Sequence, residues 1–426
     1  IIILKQAIHN LFNRPEKNYK PIDGIRAIAI LWVIIFHVWL FQYNDYPAVG
    51  DKVTEYSLLM WISKGDLGVD LFFVISGFLI GTILFKEFNK SNTLNFKRFY
   101  IRRFLRLMPV YIFSMVIGVY FLHGHPAGNW DMAWSNILYI NNYVRDSYMG
   151  WTWSLAIEEQ FYIFIPFIIA FIIPRFRNKA VIFIIMAIIP IYLTYYYSFV
   201  MLDLSVPFNN TFLDEGWMDW FWEYYVLTHL RYGGLLSGVV VAYINVNYKE
   251  RVISFFNNYR ILSDVLVVLS LTIFVMISTI TLGQWTYVEN SIFYSFHPDV
   301  AKYYEIIHRE VFSYAVAYLI MACIYSNGLI IKPVNNFLSH QFFYPIAQVS
   351  YSAYLFHEMF MFWFFPIFNN AFSDMLTPVY IFLINGVISL VAIIFGATLM
   401  YVFIEQPFQN IKNTSKHSRV KEPSLV

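Results

Sequence analysis

The chain has 426 residues, of which 59% are hydrophobic, 21% aromatic and only 13% charged. Soluble domains carry about 25% charged residues, and apolar runs of about 18 or more residues recur along this chain, so a soluble globular protein is excluded. The single cysteine, Cys323, excludes a disulfide framework, and its place inside an apolar run suggests no thiol nucleophile.

Ten membrane spans are predicted, at 24–42, 67–86, 107–122, 152–173, 180–200, 226–246, 262–282, 306–326, 344–366 and 378–404. The expected fold class is therefore all-α, a polytopic transmembrane helical bundle. A segment 1–23 precedes the membrane domain 24–404, and a polar tail 405–426, expected to be disordered, follows it. No appended soluble domain and no cleavable signal peptide are evident. Pro166 and Pro190 are expected to kink the fourth and fifth spans. Lys and Arg concentrate in alternate connections, at 1–23, 86–106, 174–179, 247–260, 327–343 and 405–426. Acidic residues prevail in the others: Asp45, Asp51, Glu55 and Asp66, then Asp203, Asp214, Glu215, Asp219 and Glu223, then Glu289, Asp299 and Glu305. The excess of positive charge inside predicts that both termini are cytoplasmic.

The first span carries Arg26 and, eleven residues on, His37. Eleven steps return to within about 20° of the same helix face and advance about 16 Å. A guanidinium thus lies at one membrane boundary with an imidazole on the same stripe inside the hydrocarbon. Ionisable groups there are costly and point to function. A structural histidine and a topology-setting arginine would give the same pair.

Depth along the spans places further ionisable groups in the outer third of the membrane, near His37. They are Glu158 and Glu159 of the fourth span and His357 and Glu358 of the ninth. Asp70, Arg231 and Arg309 lie near the outer ends of the second, sixth and eighth. Such groups must face a common interior or a water-filled cavity. A histidine beside a carboxylate is a proton-transfer unit. A structural ion-pair network or a transporter's proton relay would use the same residues. Helix neighbours point about 100° apart, so Glu158 and Glu159 should have separate partners. Glu158 is expected to face His37, and Glu159 to pair with Arg231 or Arg309.

A second polar layer is predicted on the cytoplasmic side. Arg102, Arg103 and Arg106 are spaced to converge at one helix end. Guanidinium forks suit phosphates. Lys97 and Arg98, at the same level, are expected to meet anionic lipid head groups. One ligand would join the two layers: a phosphorylated cytoplasmic carrier with a long thin arm, such as coenzyme A.

These segments resemble the acyltransferase-3 family of integral membrane O-acyltransferases, from Ile22 to about Pro407 and in the same order. The matching elements are Arg26 with His37, GVDLFFVISGFLIG at 68–81, Arg103 with Arg106, WSLAIEEQFY at 153–162, SYSAYLFH at 350–357 and IEQP at 404–407. The resemblance implies transfer of an acyl group, most often acetyl, from cytoplasmic acyl-CoA to a hydroxyl of an extracytoplasmic glycan. It also implies a bacterial cytoplasmic membrane and no metal. His37 would be catalytic with Glu158 or Glu159, and Arg26, Arg103 and Arg106, with Arg102 beside them, would hold the donor. Asp70, Trp153, Tyr351 and His357 are expected on the acceptor side. Trp151, Trp153, Tyr351 and Tyr354 are candidate oxyanion donors, though each also fits a packing or interfacial aromatic. Gln406 departs from the Arg or Lys usual there, so the 405–407 element is expected to be a structural cap. The acceptor is expected within the membrane core or on a separate extracytoplasmic partner protein, with the bilayer as the other partner and no nucleic acid. A transporter of a lipid-linked sugar or small anion remains the rival reading, distinguished by the absence of thioester turnover.

Overall fold

The computed structural model describes residues 2–16, 19–43, 45–55, 59–201, 216–279 and 298–409. Among them the regular elements are helices, and no strand occurs. Eight helices among the described residues are long and apolar enough to cross a membrane. In chain order the elements used below are α1 (Ile2–Phe12), α2 (Lys20–Tyr43), α3 (Leu67–Ser91), α4 (Phe96–Phe121), α5 (Trp153–Phe167), α6 (Lys179–Tyr196), α7 (Gly233–Asn247), α8 (Arg260–Thr279), α9 (Pro298–Tyr325), α10 (Phe343–Phe372) and α11 (Pro378–Met400). Every predicted span carries helix. The acidic residues Asp203, Asp214, Glu215 and Glu289, and the tail beyond residue 409, lie outside the described residues.

Two boundaries differ from expectation. The third span was expected to begin at 107, yet α4 starts at Phe96, capped by the Asn95 side chain, which accepts from the Arg98 amide at 2.9 Å. The basic segment is therefore the first turns of the spanning helix. The sixth span is broken: a single turn, Thr228–Arg231, precedes α7, and Arg231 sits at the break.

The faces of the helices are inverted relative to a soluble protein. On α11 the exposed stripe is Val379, Leu383, Val387, Val391, Phe395 and Leu399, while Asn385, Ser389 and Ala397 are buried. Lipid offers no hydrophobic drive between helices, so small and polar side chains form the contacts. Asn385 donates to both Gln42 of α2 and Asn369 of α10 at 2.8 Å. Between α3 and α7 the contact is glycine on both sides, Gly77 and Gly81 against Gly234 and Gly238. A Cβ on Gly77 would stand 1.9 Å from the Leu235 carbonyl oxygen, and one on Gly238 would stand 2.1 Å from that of Val74. α2 lies at the centre, packed against α3, α10 and α11. This puts Arg26 and His37 in the protein interior rather than toward lipid.

Candidate functional site

Two cavities lie inside the bundle, stacked along α2 and α10. One, of about 290 Å³, is lined by His37, Glu358, Asp66, Ser147, Trp151, Trp153, Trp222 and further aromatic side chains. The other, of about 300 Å³, is lined by Arg26, Arg103, Arg106, Glu158, Ser76 and Tyr351 among others. The same ladder runs up both helices. On α10, Ser350 and Tyr351 line the arginine cavity and Glu358, about two turns on, lines the other. On α2, Arg26 and His37 are divided in the same way.

The hydrogen bonds around His37 fix its tautomer. Its Nδ1 lies 2.8 Å from the Val33 carbonyl oxygen, which can only accept, so Nδ1 carries the hydrogen. His357 Nδ1 likewise donates to the Tyr354 carbonyl at 2.6 Å, leaving its Nε2 as an acceptor 3.3 Å from His37 Nδ1. The His37 Nδ1–H is thereby shared between two acceptors. His37 Nε2 lies 3.1 Å from Glu358 Oε1 and is the nitrogen at which a proton can be gained or lost. The donor atoms of His37, His357 and Glu358 all lie within 4.8 Å of one another, a spacing that a cation could also occupy.

This arrangement corrects the expected carboxylate. Glu358, not Glu158, faces His37. Ser154, in the first turn of α5, already lines the arginine cavity, so Glu158 one turn further on lies among the arginines. There Glu158 accepts from the Tyr162 hydroxyl at 2.9 Å, and that hydroxyl also bonds Ser76. Glu159 pairs with neither Arg231 nor Arg309, and its buried Oε1 has no partner among the described residues. Those two arginines hold other carboxylates. Arg309 donates to Asp70 at 2.6 Å and to Asp66 at 2.5 Å, Arg231 lies 3.5 Å from Asp70, and the Arg231 guanidinium lies over the rings of both Trp153 and Tyr225.

Asp70 is thus a buried structural anion that lines neither cavity, and Asp66 takes its place at the cavity wall. His357 also lines neither cavity. It is fully buried behind His37 and holds the ring rather than an acceptor. Trp153 lines the His37 cavity; Tyr351, expected on the acceptor side, lines the arginine cavity instead, its hydroxyl donating to the Leu107 carbonyl at 3.0 Å.

Of the predicted arginine cluster, Arg26, Arg103 and Arg106 come together and Arg102 does not. Arg102 lines a separate surface cleft with Lys86, Lys90, Lys97 and Arg98. Arg26 donates to Ser350 Oγ at 3.0 Å, and Arg103 lies over the Tyr162 ring. Among the described residues, no carboxylate oxygen comes within 4 Å of these three guanidinium groups. Three guanidinium groups around one cavity, with Glu158 beside them but beyond ion-pair distance, suit an anionic ligand. Glu405 and Gln406 act as structure: Glu405 accepts from Ser352 and Gln406 donates to the Tyr401 hydroxyl.

The sequence reading missed four features of the His37 cavity. Glu358 stood next to His357, but a linear depth estimate could not show which neighbour turns toward His37. Asp66 fell in a connection. The indole N–H of Trp222 and the Ser147 hydroxyl, which no sequence signal marks, are buried at the cavity with no partner among the described residues, as is the indole N–H of Trp151. At the rim, His125 stacks on Phe362, and burial pulls its imidazole below the ordinary histidine value, favouring the neutral form.

The fold and site define an integral membrane protein of helices that encloses a histidine–carboxylate pair and a cluster of three arginines in one interior. The chain belongs to the acyltransferase-3 family, whose profile, described as an acyltransferase domain, matches residues 19–402. It is similar to the O-acetyltransferase OatA of Staphylococcus aureus (strain NCTC 8325 / PS 47), with 27% identity over 430 aligned residues covering 93% of this chain and 59% of that protein. It is also similar to the peptidoglycan O-acetyltransferase OatA of Listeria monocytogenes serovar 1/2a, with 35% identity over 178 residues covering 37% of this chain and 26% of that protein. The chain spans about three-fifths of the length of the first of these. No solved structure matches it.

Proposed function

We propose that this protein moves an acyl group, acetyl in the first instance, from acyl-CoA on the cytoplasmic side to a hydroxyl of an extracytoplasmic glycan. The observation that carries this reading is the pairing of two cavities along one helix, three arginines without carboxylate partners in one and His37 with Glu358 in the other. The names of the relatives support acetyl as the group and a cell-wall glycan as the acceptor class. The excess of basic residues on one side supports a cytoplasmic donor, and the bacterial source of the relatives supports the bacterial cytoplasmic membrane as the location.

In this reading Arg26, Arg103 and Arg106 hold the donor's phosphates. A sugar hydroxyl is a poor nucleophile until its proton leaves. His37 Nε2 takes that proton as the oxygen attacks the thioester carbonyl, and the imidazolium is held against Glu358. His357 and the Val33 carbonyl keep Nδ1–H engaged and the ring oriented. The indole N–H groups of Trp151 and Trp222 are the candidate donors for the oxyanion. Collapse of the tetrahedral adduct breaks the carbon–sulfur bond. The thiolate takes the proton back from Nε2, so the products are the ester and free CoA.

The test is release of free CoA by the reconstituted protein given acetyl-CoA and a candidate glycan, with ester formation followed in parallel. The expected result is acceptor-dependent release that His37→Ala abolishes while CoA binding persists. Full turnover in His37→Ala, or glycan movement across the membrane without CoA release, would overturn the reading.

A further inference from the structure

Among the described residues, two line both cavities, Val69 of α3 and Tyr354 of α10. The two cavities therefore adjoin at these two side chains. Val69 is buried and β-branched, and its χ1 is stiff in a helix. Tyr354 is different. Its ring spans the gap from α10 to the start of α5, and its hydroxyl is held at the tip. The hydroxyl donates to the Trp151 carbonyl at 2.5 Å and lies 2.7 Å from Ser154 Oγ. Trp151 lines the His37 cavity and Ser154 lines the arginine cavity, so the two bonds pin the ring at the boundary. Its main-chain carbonyl also receives the His357 Nδ1–H, which ties the same residue to the ring behind His37.

We propose that Tyr354 is a positioning residue that seals the donor cavity from the acceptor cavity, and that its side chain must release Trp151 and Ser154 and turn aside for the acyl arm to reach His37. This rests on the reading that the donor enters among the arginines and reacts at His37. Reacting atoms must approach to about 3–3.5 Å, and a thioester on the arginine side of a closed Tyr354 cannot do so. The aromatic septum also limits the cross-section of the arm that passes, which favours a small acyl group. While closed, it keeps water of the acceptor side from the thioester. Opening costs two hydrogen bonds at one hydroxyl and no buried charge, as suits a gate that cycles with each turnover.

Accessibility of an introduced thiol tests the seal without relying on turnover. Ser147 lines the His37 cavity, and serine to cysteine is a near-isosteric change. In a Cys323→Ser background, the Ser147→Cys thiol is exposed to a small, charged, membrane-impermeant thiol reagent applied only from the arginine side of oriented proteoliposomes. With Tyr354 intact, labelling should be slow. Tyr354→Phe, which keeps the ring and loses both bonds, should label at least tenfold faster, and Tyr354→Ala faster still. If Tyr354→Ala does not fold, Val69→Phe provides the opposite perturbation. A thicker wall should cut acyl transfer at least tenfold and leave acetyl-CoA affinity within twofold. Labelling from the arginine side that is independent of residue 354, or normal transfer in Val69→Phe, would overturn the proposal. If the labelling rates change as expected but no variant, nor the native chain, releases CoA, the seal stands and the acyltransfer reading fails.

Discussion

Glu358→Gln is the substitution that most directly separates the proposed proton pair from its surroundings. The Gln side chain has nearly the same shape and can still place an oxygen or an amide nitrogen 3.1 Å from His37 Nε2, but it has no charge. A hydrogen bond to a charged group contributes about 1.5–3 kcal/mol. That stabilisation matters only when His37 holds the substrate proton, which in the proposed reaction is near the transition state. At about 1.4 kcal/mol per tenfold in rate, the turnover number should fall by roughly 10- to 150-fold. The arginine cavity is untouched, so KM for acetyl-CoA should not rise. Folding should be spared as well, because the Gln amide can still hydrogen-bond His37 Nε2 from the same place. The assay is steady-state CoA release in detergent or proteoliposomes, with a thermal melt of the same preparation. Turnover within twofold of native would show that Glu358 is only a packing neighbour. A rise in KM at constant turnover would show that it binds substrate instead of the proton on His37.

Replacing Arg103 or Arg106 by Ala should weaken CoA binding by about 1.5–3 kcal/mol per charged hydrogen bond lost, measured by calorimetry; unchanged affinity in both would assign them to lipid contact or topology. Asp70→Asn should cost about 3–5 kcal/mol of stability by stripping Arg231 and Arg309 of a shared buried anion, with little effect on acceptor KM. A normal melt with a raised acceptor KM would return Asp70 to substrate binding. Gly238→Ala places a methyl carbon 2.1 Å from the Val74 carbonyl oxygen, so α3 and α7 must part; about 1–3 kcal/mol should be lost, read as a lower Tm, and an unchanged Tm would refute the close packing. Treatment with a strong chelator should leave CoA release unchanged if His37, His357 and Glu358 carry a proton; loss of activity restored by a divalent cation would replace the proton by a metal.

The sequence by itself determined the membrane class, the ten helical segments and the presence of Arg26 and His37 on one stripe. These follow from local properties, namely apolar run length, the cost of charge in hydrocarbon and the 100° step of a helix. The same arithmetic brought Arg103 and Arg106 to one helix end, and the motifs with their order pointed to the family. Pairing was decided only by the tertiary structure. Glu158, Glu159 and Glu358 are the same residue type and were placed at similar depth, and which of them meets His37 depends on where α5 begins relative to α10. Ser154 reaches Tyr354 in the first turn of α5, and that one contact carries Glu158 to the arginine side. Arg231 went to Asp70 because the glycine contact draws α7 against α3, and Arg309 reached Asp70 and Asp66 because α9 packs on both of those helices, distances no single-helix pattern encodes. The boundary between the cavities is likewise a property of three helices at once. A buried side chain in a membrane bundle is specified by its own helix in direction, but by its neighbours in partner.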